Sequence, residues 1–204
     1  FEKKQNNCAK DNFVIERITS LKNEGKKLIC VIGRLNREKR IDKAINIYKE
    51  LLAIKPDTCM FIIGDGEKIT DLKNVAKQYI LKDCIFFTGY LENADEYLKY
   101  FDLLLITSDR EGMPFIIWEA MGNSTPVVSS NVGGIKEILE IYDCGYVFEK
   151  DDLSGAVGKI SLLLTDESLR KNLAESGLRI VDEKFNSKNF IRKIEQVYFN
   201  LLNR

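Results

Sequence analysis

The sequence contains no histidine. That absence removes His-based catalytic triads, imidazole proton relays and the commonest zinc-ligand sets. Cysteine is sparse and odd in number: the five residues Cys8, Cys30, Cys59, Cys84 and Cys144 form no CxxC pair. Most of them sit in apolar runs such as LICVIG and DTCMFIIG. They read as reduced core residues, which fits an intracellular setting better than a disulfide framework. Only three prolines occur (Pro56, Pro114, Pro126), and no proline-rich linker or repeat divides the chain. Charge of one sign does not dominate either, because Lys+Arg and Asp+Glu both number 31 among the 204 residues. Bulk charge therefore calls for no nucleic acid or anionic membrane, and an anion site has to be local. No apolar run approaches the ~20 residues needed to cross a bilayer, and the N-terminus has no apolar signal core. The expected location is the cytoplasm, with the inner face of the membrane as the alternative.

What is present is an alternation. Short apolar runs at Lys27 to Gly33, Thr58 to Gly64, Cys84 to Gly89, Asp102 to Thr107, Pro126 to Ser129 and Gly145 to Phe148 read as strands. Between them lie stretches of helical period at Ile41 to Ala53, Ile69 to Tyr79, Ala94 to Tyr100, Pro114 to Gly122 and Ile135 to Glu140. Strands apolar on both faces and separated by helices imply βα crossovers. The fold class is α/β: a doubly wound, Rossmann-like parallel sheet of six strands with helices on both faces. After Asp151 three more helices follow, at Leu153 to Leu164, Glu167 to Glu183 and Ser187 to Leu202, the last with Asn186 and Ser187 as capping candidates. Residues 1–26 are polar and weakly patterned and read as a lead-in. Residues 27–185 then form the main domain and 186–204 a separate C-terminal helix.

Two segments carry chemistry. In SDREGMPFIIWE, Ser108 to Glu119, the chain leaves a buried strand, turns at Glu111, Gly112 and Met113, and enters a helix with Pro114 in its first turn. A helix N-terminus accepts phosphate or sugar hydroxyl oxygens, and glycine lets backbone approach a ligand. Glu111 and Glu119 can address different parts of one ligand, a carboxylate suiting vicinal hydroxyls such as those of ribose. As isolated residues they equally read as solvated charges. In GRLNREKR, Gly33 to Arg40, the cations Arg34, Arg37, Lys39 and Arg40 gather at the same sheet edge. They suit a diphosphate, or else a solvated helix start. FIIGDGE and NVGGIKEI are weaker: either phosphate loops or tight turns after strands.

Together and in order, these segments resemble the C-terminal domain of the group 1, or family 4, retaining glycosyltransferases with the two-domain GT-B fold. The resemblance covers about residues 27 to 202. It rests on Gly33-Arg34-Leu35 with Lys39, Gly64-Asp65-Gly66, Phe87-Thr88-Gly89, Ser108 with Glu111-Gly112-Met113-Pro114 and Glu119-Ala120, Pro126-Val127-Val128, and Gly133-Gly134 with Glu137. The resemblance implies a UDP- or GDP-sugar as donor substrate and a metal-independent transfer to an acceptor hydroxyl, with no cofactor. The absence of any Asp-x-Asp motif agrees. It further implies that Arg34 and Lys39, with Gly33, hold the donor diphosphate and that Glu119 holds the ribose. Glu111 with the backbone of Gly112, Met113, Pro114 and Phe115 would hold the transferred sugar and its phosphate, and Tyr90 and Leu91 would lie near the base. Glu111, Arg34 and Lys39 are the expected catalytic residues.

Two departures stand out: Ser124 and Arg40 occupy positions where the family often has glycine, so altered turn geometry is expected there. A GT-B acceptor domain has no room before Lys27, so the chain is expected to hold half an active site, inactive alone and completed by that domain in cis or in trans. Phe190, Ile194, Val197, Tyr198, Leu201 and Leu202 form an apolar stripe on the last helix, which favours weak self-association if uncovered. The alternative is a non-catalytic nucleotide-binding or interaction module with the same fold. Other GT-B enzymes, a sugar-nucleotide epimerase or a phosphorylase, fit less well without histidine or a cofactor-lysine motif.

Overall fold

The computed structural model describes residues 2–81, 83–185 and 187–202, with side chains at 11–81, 83–183, 191–192 and 194–202. Six strands, β1 (Lys27–Ile32), β2 (Thr58–Ile63), β3 (Ile85–Gly89), β4 (Leu103–Ile106), β5 (Val127–Ser130) and β6 (Gly145–Phe148), form one sheet in the order β3-β2-β1-β4-β5-β6. Every pairing is parallel. Hydrophobic runs of four to six residues thus become β1, β2 and β4, strands buried on both faces as expected of a crossover-connected sheet.

Strand residues alternate between two cores. Ile29, Val31, Met60 and Ile62 face α2 (Ile41–Ile54), α3 (Ile69–Gln78) and α6 (Leu153–Thr165), while Leu28, Cys30, Phe61 and Ile63 face the other side. There they meet α1 (Glu2–Asn23), a 3₁₀ segment (Ala94–Tyr100), α4 (Phe115–Gly122) and α5 (Ile135–Ile141). Helix α7 (Glu167–Ile180) closes the body, and a π turn (Val181–Phe185) leads to α8 (Ser187–Leu202). Helices α6 and α7 are capped by Asp152 and Asp166, whose side chains accept from the Gly155 and Leu169 amides at 2.8 and 2.9 Å. Asn186 lies outside the described residues, as do the side chains of Ser187 and Phe190. Of the other stripe residues, Ile194, Val197, Tyr198, Leu201 and Leu202 are exposed. Cys30, Cys59 and Cys144 are free and buried and Cys84 is free and half-buried; the side chain of Cys8 is outside the described set. Burial pushes the thiols of Cys59 and Cys144 up to about 11 and about 12.

The structure changes the reading of the first 26 residues. They hold α1, a 22-residue helix, and its Val14, Ile18 and Leu21 are 4, 1 and 3% exposed beneath the sheet. The spacing of these three residues is helical, but the polar composition of residues 2 to 11 masks it. Val14, Ile18 and Leu21 are part of the domain's own core.

The two departures at glycine positions also resolve. Arg40 and Ser124 have φ of 47° and 55°, the left-handed conformation that glycine adopts most readily. A glycine would take this backbone without strain, and here Arg40 and Ser124 hold it. Ile80 shows the same strain in sharper form. The Ile80 and Leu81 amides donate to the Lys77 and Ala76 carbonyls, both at 3.0 Å, closing α3 in a Schellman motif that puts Ile80 at φ 58°. A β-branched side chain is strained there, and at 82% exposure it gains little by burial. Ile80→Gly is expected to stabilise the protein by about 1 kcal/mol. Urea unfolding checks this, and a lowered midpoint contradicts it.

Candidate functional site

The chain enters the sheet at β1, builds outward through β2 and β3, then crosses back to place β4 on the other side of β1. The loops after β1 and β4 therefore leave in opposite directions, and a crevice opens between them at the carboxyl ends of the strands. Those loops are the two segments singled out from the sequence, GRLNREKR and SDREGMP.

Across this crevice Lys39 Nζ lies 2.6 Å from Glu111 Oε1. The Glu111 side chain is 10% exposed and the Lys39 side chain 29%, so Glu111 is not a solvated loop charge. Ser108, itself buried, donates its hydroxyl to Glu111 at 2.6 Å, and the Ser130 hydroxyl donates to the Ser108 carbonyl at 2.8 Å. The Thr107 hydroxyl donates to the Lys39 and Arg40 carbonyls at 3.1 and 2.9 Å. Polar residues at the ends of apolar strands thus hold the two loops to each other. Ser108 entered the sequence reading only as part of a motif, and none of Thr107, Ser130, Lys43 and Asp109 was singled out as a site residue. The available signal was a hydroxyl residue closing an apolar strand, which burial of the strand end turns into an obligate donor.

The cations of the first loop separate. Arg40 turns away from Glu111 and binds Asp42 and Asp109, at 2.9 and 2.8 Å. These two carboxylates raise its already high pKa further, Asp42 contributing most. Lys43, 6% exposed, reaches Asp109 and Asp151 at 3.3 and 3.2 Å. Partial burial works against the ionised form of Asp109, but hydrogen bonds from Arg40 and Lys43 outweigh it and hold the carboxyl at about 2. Arg34 and Arg37 are exposed and have no acidic partner among the described residues.

Close backbone approach explains the weaker glycine signals. At Gly64, φ 141°, a Cβ would collide with the Gly33 carbonyl oxygen, and at Gly133, φ 55°, with that of Glu111. The GDG and VGG turns are therefore pressed against the two principal loops and buttress them. At Gly112 a Cβ would meet nothing, so packing does not require glycine there. Pro114 is the N-cap of α4 and not its first helical residue, and no side chain caps that end. Met113 and Phe115 are exposed, at 51 and 81%. Glu119 lies further along α4; desolvation raises its pKa, with a smaller contribution from Asp95. Tyr90 is exposed, whereas Leu91 is 3% exposed and packs in the core. Leu91 can therefore meet a ligand only through its backbone. A separate cavity of about 350 Å³ lies between α1, α3 and β3, lined by Phe13, Arg17, Lys73 and Phe86 among others and by no residue of the loops after β1 and β4.

The family model for glycosyl transferases group 1 matches residues 14–179. The chain belongs to this family. An N-acetyl-alpha-D-glucosaminyl L-malate synthase of Bacillus anthracis is 28% identical over 202 residues, 94% of this chain and 53% of that protein. The solved structure of Anabaena Alr3699/HepE in complex with UDP superposes with a TM-score of 0.80 at 19% identity, covering 90% of this chain and 52% of that one. The C-terminal domain of the group 1 protein LpcC from Francisella tularensis gives a TM-score of 0.72 at 23% identity, covering 84% of this chain and 93% of that domain. The chain thus spans about half the length of curated relatives it matches. Its fold is the Rossmann-like half of a GT-B architecture. Among the described residues no helix is long and apolar enough to cross a membrane.

Removing one member of the crevice pair leaves the other half-buried with incomplete compensation. Lys39→Met is expected to cost about 1–3 kcal/mol of stability, with part regained on adding Glu111→Gln. Urea unfolding of the single and double variants measures both, and a neutral Lys39→Met would show that the pair contributes nothing.

Proposed function

We propose that this chain is the donor-binding half of a retaining glycosyltransferase that moves a sugar from a nucleoside diphosphate sugar to an acceptor hydroxyl, without a bound metal, in the synthesis of cell-surface or lipid-linked glycans. The observation that carries the reading is the Lys39–Glu111 pair at the sheet's switch point, beside an Arg34 with no acidic partner among the described residues. Lys39 and Arg34 supply an ammonium and a guanidinium for the diphosphate. As the glycosidic bond breaks, negative charge grows on the leaving diphosphate, and these fixed cations stabilise it where a metal ion otherwise would. Glu111, freed as Lys39 turns to phosphate, accepts from sugar hydroxyls. The uncapped start of α4 and the open space at Gly112 leave room for the sugar and its phosphate at the Met113 to Phe115 backbone. Glu119 takes the ribose hydroxyls, with Tyr90 and the Leu91 backbone towards the base. The UDP bound in HepE and the family membership support a nucleotide donor.

The acceptor then comes from a further domain, and we infer that the exposed stripe of α8 is a surface it covers. Calorimetric titration with UDP, GDP and ADP tests the donor site. One of them should bind, EDTA should leave that affinity unchanged, and Arg34→Ala should weaken it about tenfold. No binding by any of the three removes the reading. With α8 uncovered, the isolated chain should self-associate weakly at high concentration, and a strictly monomeric sedimentation profile contradicts this.

A further inference from the structure

We propose that Asp109 is a positioning residue of the donor site: it clasps the loop after β1 to the loop after β4 and so places Lys39, without itself meeting the donor. The inference rests on the donor-site reading above and concerns a residue outside the expected ligand contacts.

The two loops are tied at two points by neighbouring residues. Lys39 meets Glu111 on the crevice side, and Arg40, the next residue, meets Asp109 on the other, at 2.6 and 2.8 Å. The Asp109 amide also donates to the Glu38 carbonyl at 2.8 Å, fixing the same two loops through backbone. Its carboxylate collects Lys43 at 3.3 Å and Lys150 at 3.4 Å, the latter from beyond β6. Three strand ends are therefore joined at one side chain. Arg40 accepts a left-handed backbone, φ 47°, in a place where glycine would be unstrained. The chain tolerates that conformation in a residue whose guanidinium is held from both sides.

The two ties differ in what a ligand does to them. A diphosphate that takes Lys39 competes with Glu111 for the same ammonium, so the inner tie opens on binding. The outer tie persists, since Arg40 and Lys43 are turned to Asp109. Asp109 thus keeps the cation-bearing loop in place at the moment the inner pair is lost, and its ionised form is secured down to low pH by those cations.

The test is Asp109→Asn in the full chain. Lys43 retains Asp151 and the Lys150 carbonyl, Arg40 retains Asp42, and Lys150, which loses its partner, has an exposed side chain, so no buried cation is stranded. Without ligand, amide hydrogen exchange over residues 36–40 and 108–112 should quicken at least about fivefold, with α7 unchanged. Affinity for the nucleoside diphosphate that binds the unsubstituted chain should fall about tenfold, and this loss should vanish in a Lys39→Ala background. Unchanged loop exchange overturns the proposal, as does an affinity loss that persists undiminished without Lys39. Should the unsubstituted chain bind no nucleotide, the donor-site reading falls while the exchange result still decides the clasp. If Asp109→Asn does not fold, Arg40→Asn opens the clasp from the other side at a residue type that tolerates left-handed backbone, and the same two outcomes apply.

Discussion

The site depends on one topological fact: β1 and β4 are adjacent in the sheet, but the chain leaves them in opposite directions. Backbone that would otherwise pack side by side parts there, and the gap must be bridged by side chains. Lys39 and Glu111 bridge it on one side, Arg40 and Asp109 on the other. Both carboxylates belong to one short turn and both cations are consecutive residues. Small displacements of either loop therefore act on both pairs at once.

Around that gap the protein uses contact distance more than charge to fix geometry. Gly64 against Gly33 and Gly133 against Glu111 bring backbone to backbone where no side chain could intervene. The buried hydroxyls of Thr107, Ser108 and Ser130 then satisfy carbonyls and a carboxylate that the close approach leaves inside. Charges handled this way remain mutually neutral: Arg40, Lys43 and Lys150 stand against Asp42, Asp109 and Asp151. On the first loop Arg34 and Arg37 are left over against Glu38, and a protein of zero net charge thus carries a local positive excess there.

Much of this was legible beforehand. All six strands and the eight helical segments after Lys27 were readable from apolar period, because burial on two faces leaves little freedom in sequence. Helix α1 was not, since three buried residues among many polar ones give too weak a stripe to separate from a lead-in. The loops of the site were legible as loops, and Lys39 and Glu111 as members of one edge. Their direct pairing was not, nor was the diversion of Arg40, which follows Lys39 in one run of cations and yet binds Asp42 and Asp109 instead of Glu111. Leu91 shows the same limit, its residue type and position fitting a base contact while its side chain is committed to the core.

By itself the sequence determined which stretches are strands, on which edge the chemistry gathers and to which family the motifs lead, because periodicity and glycine placement are local properties. Only the tertiary structure decided which charge meets which. Lys39 and Glu111 are 72 positions apart, and a pairing across that distance is set by strand order and loop direction. Those arise from packing the whole sheet, and no window of sequence contains them.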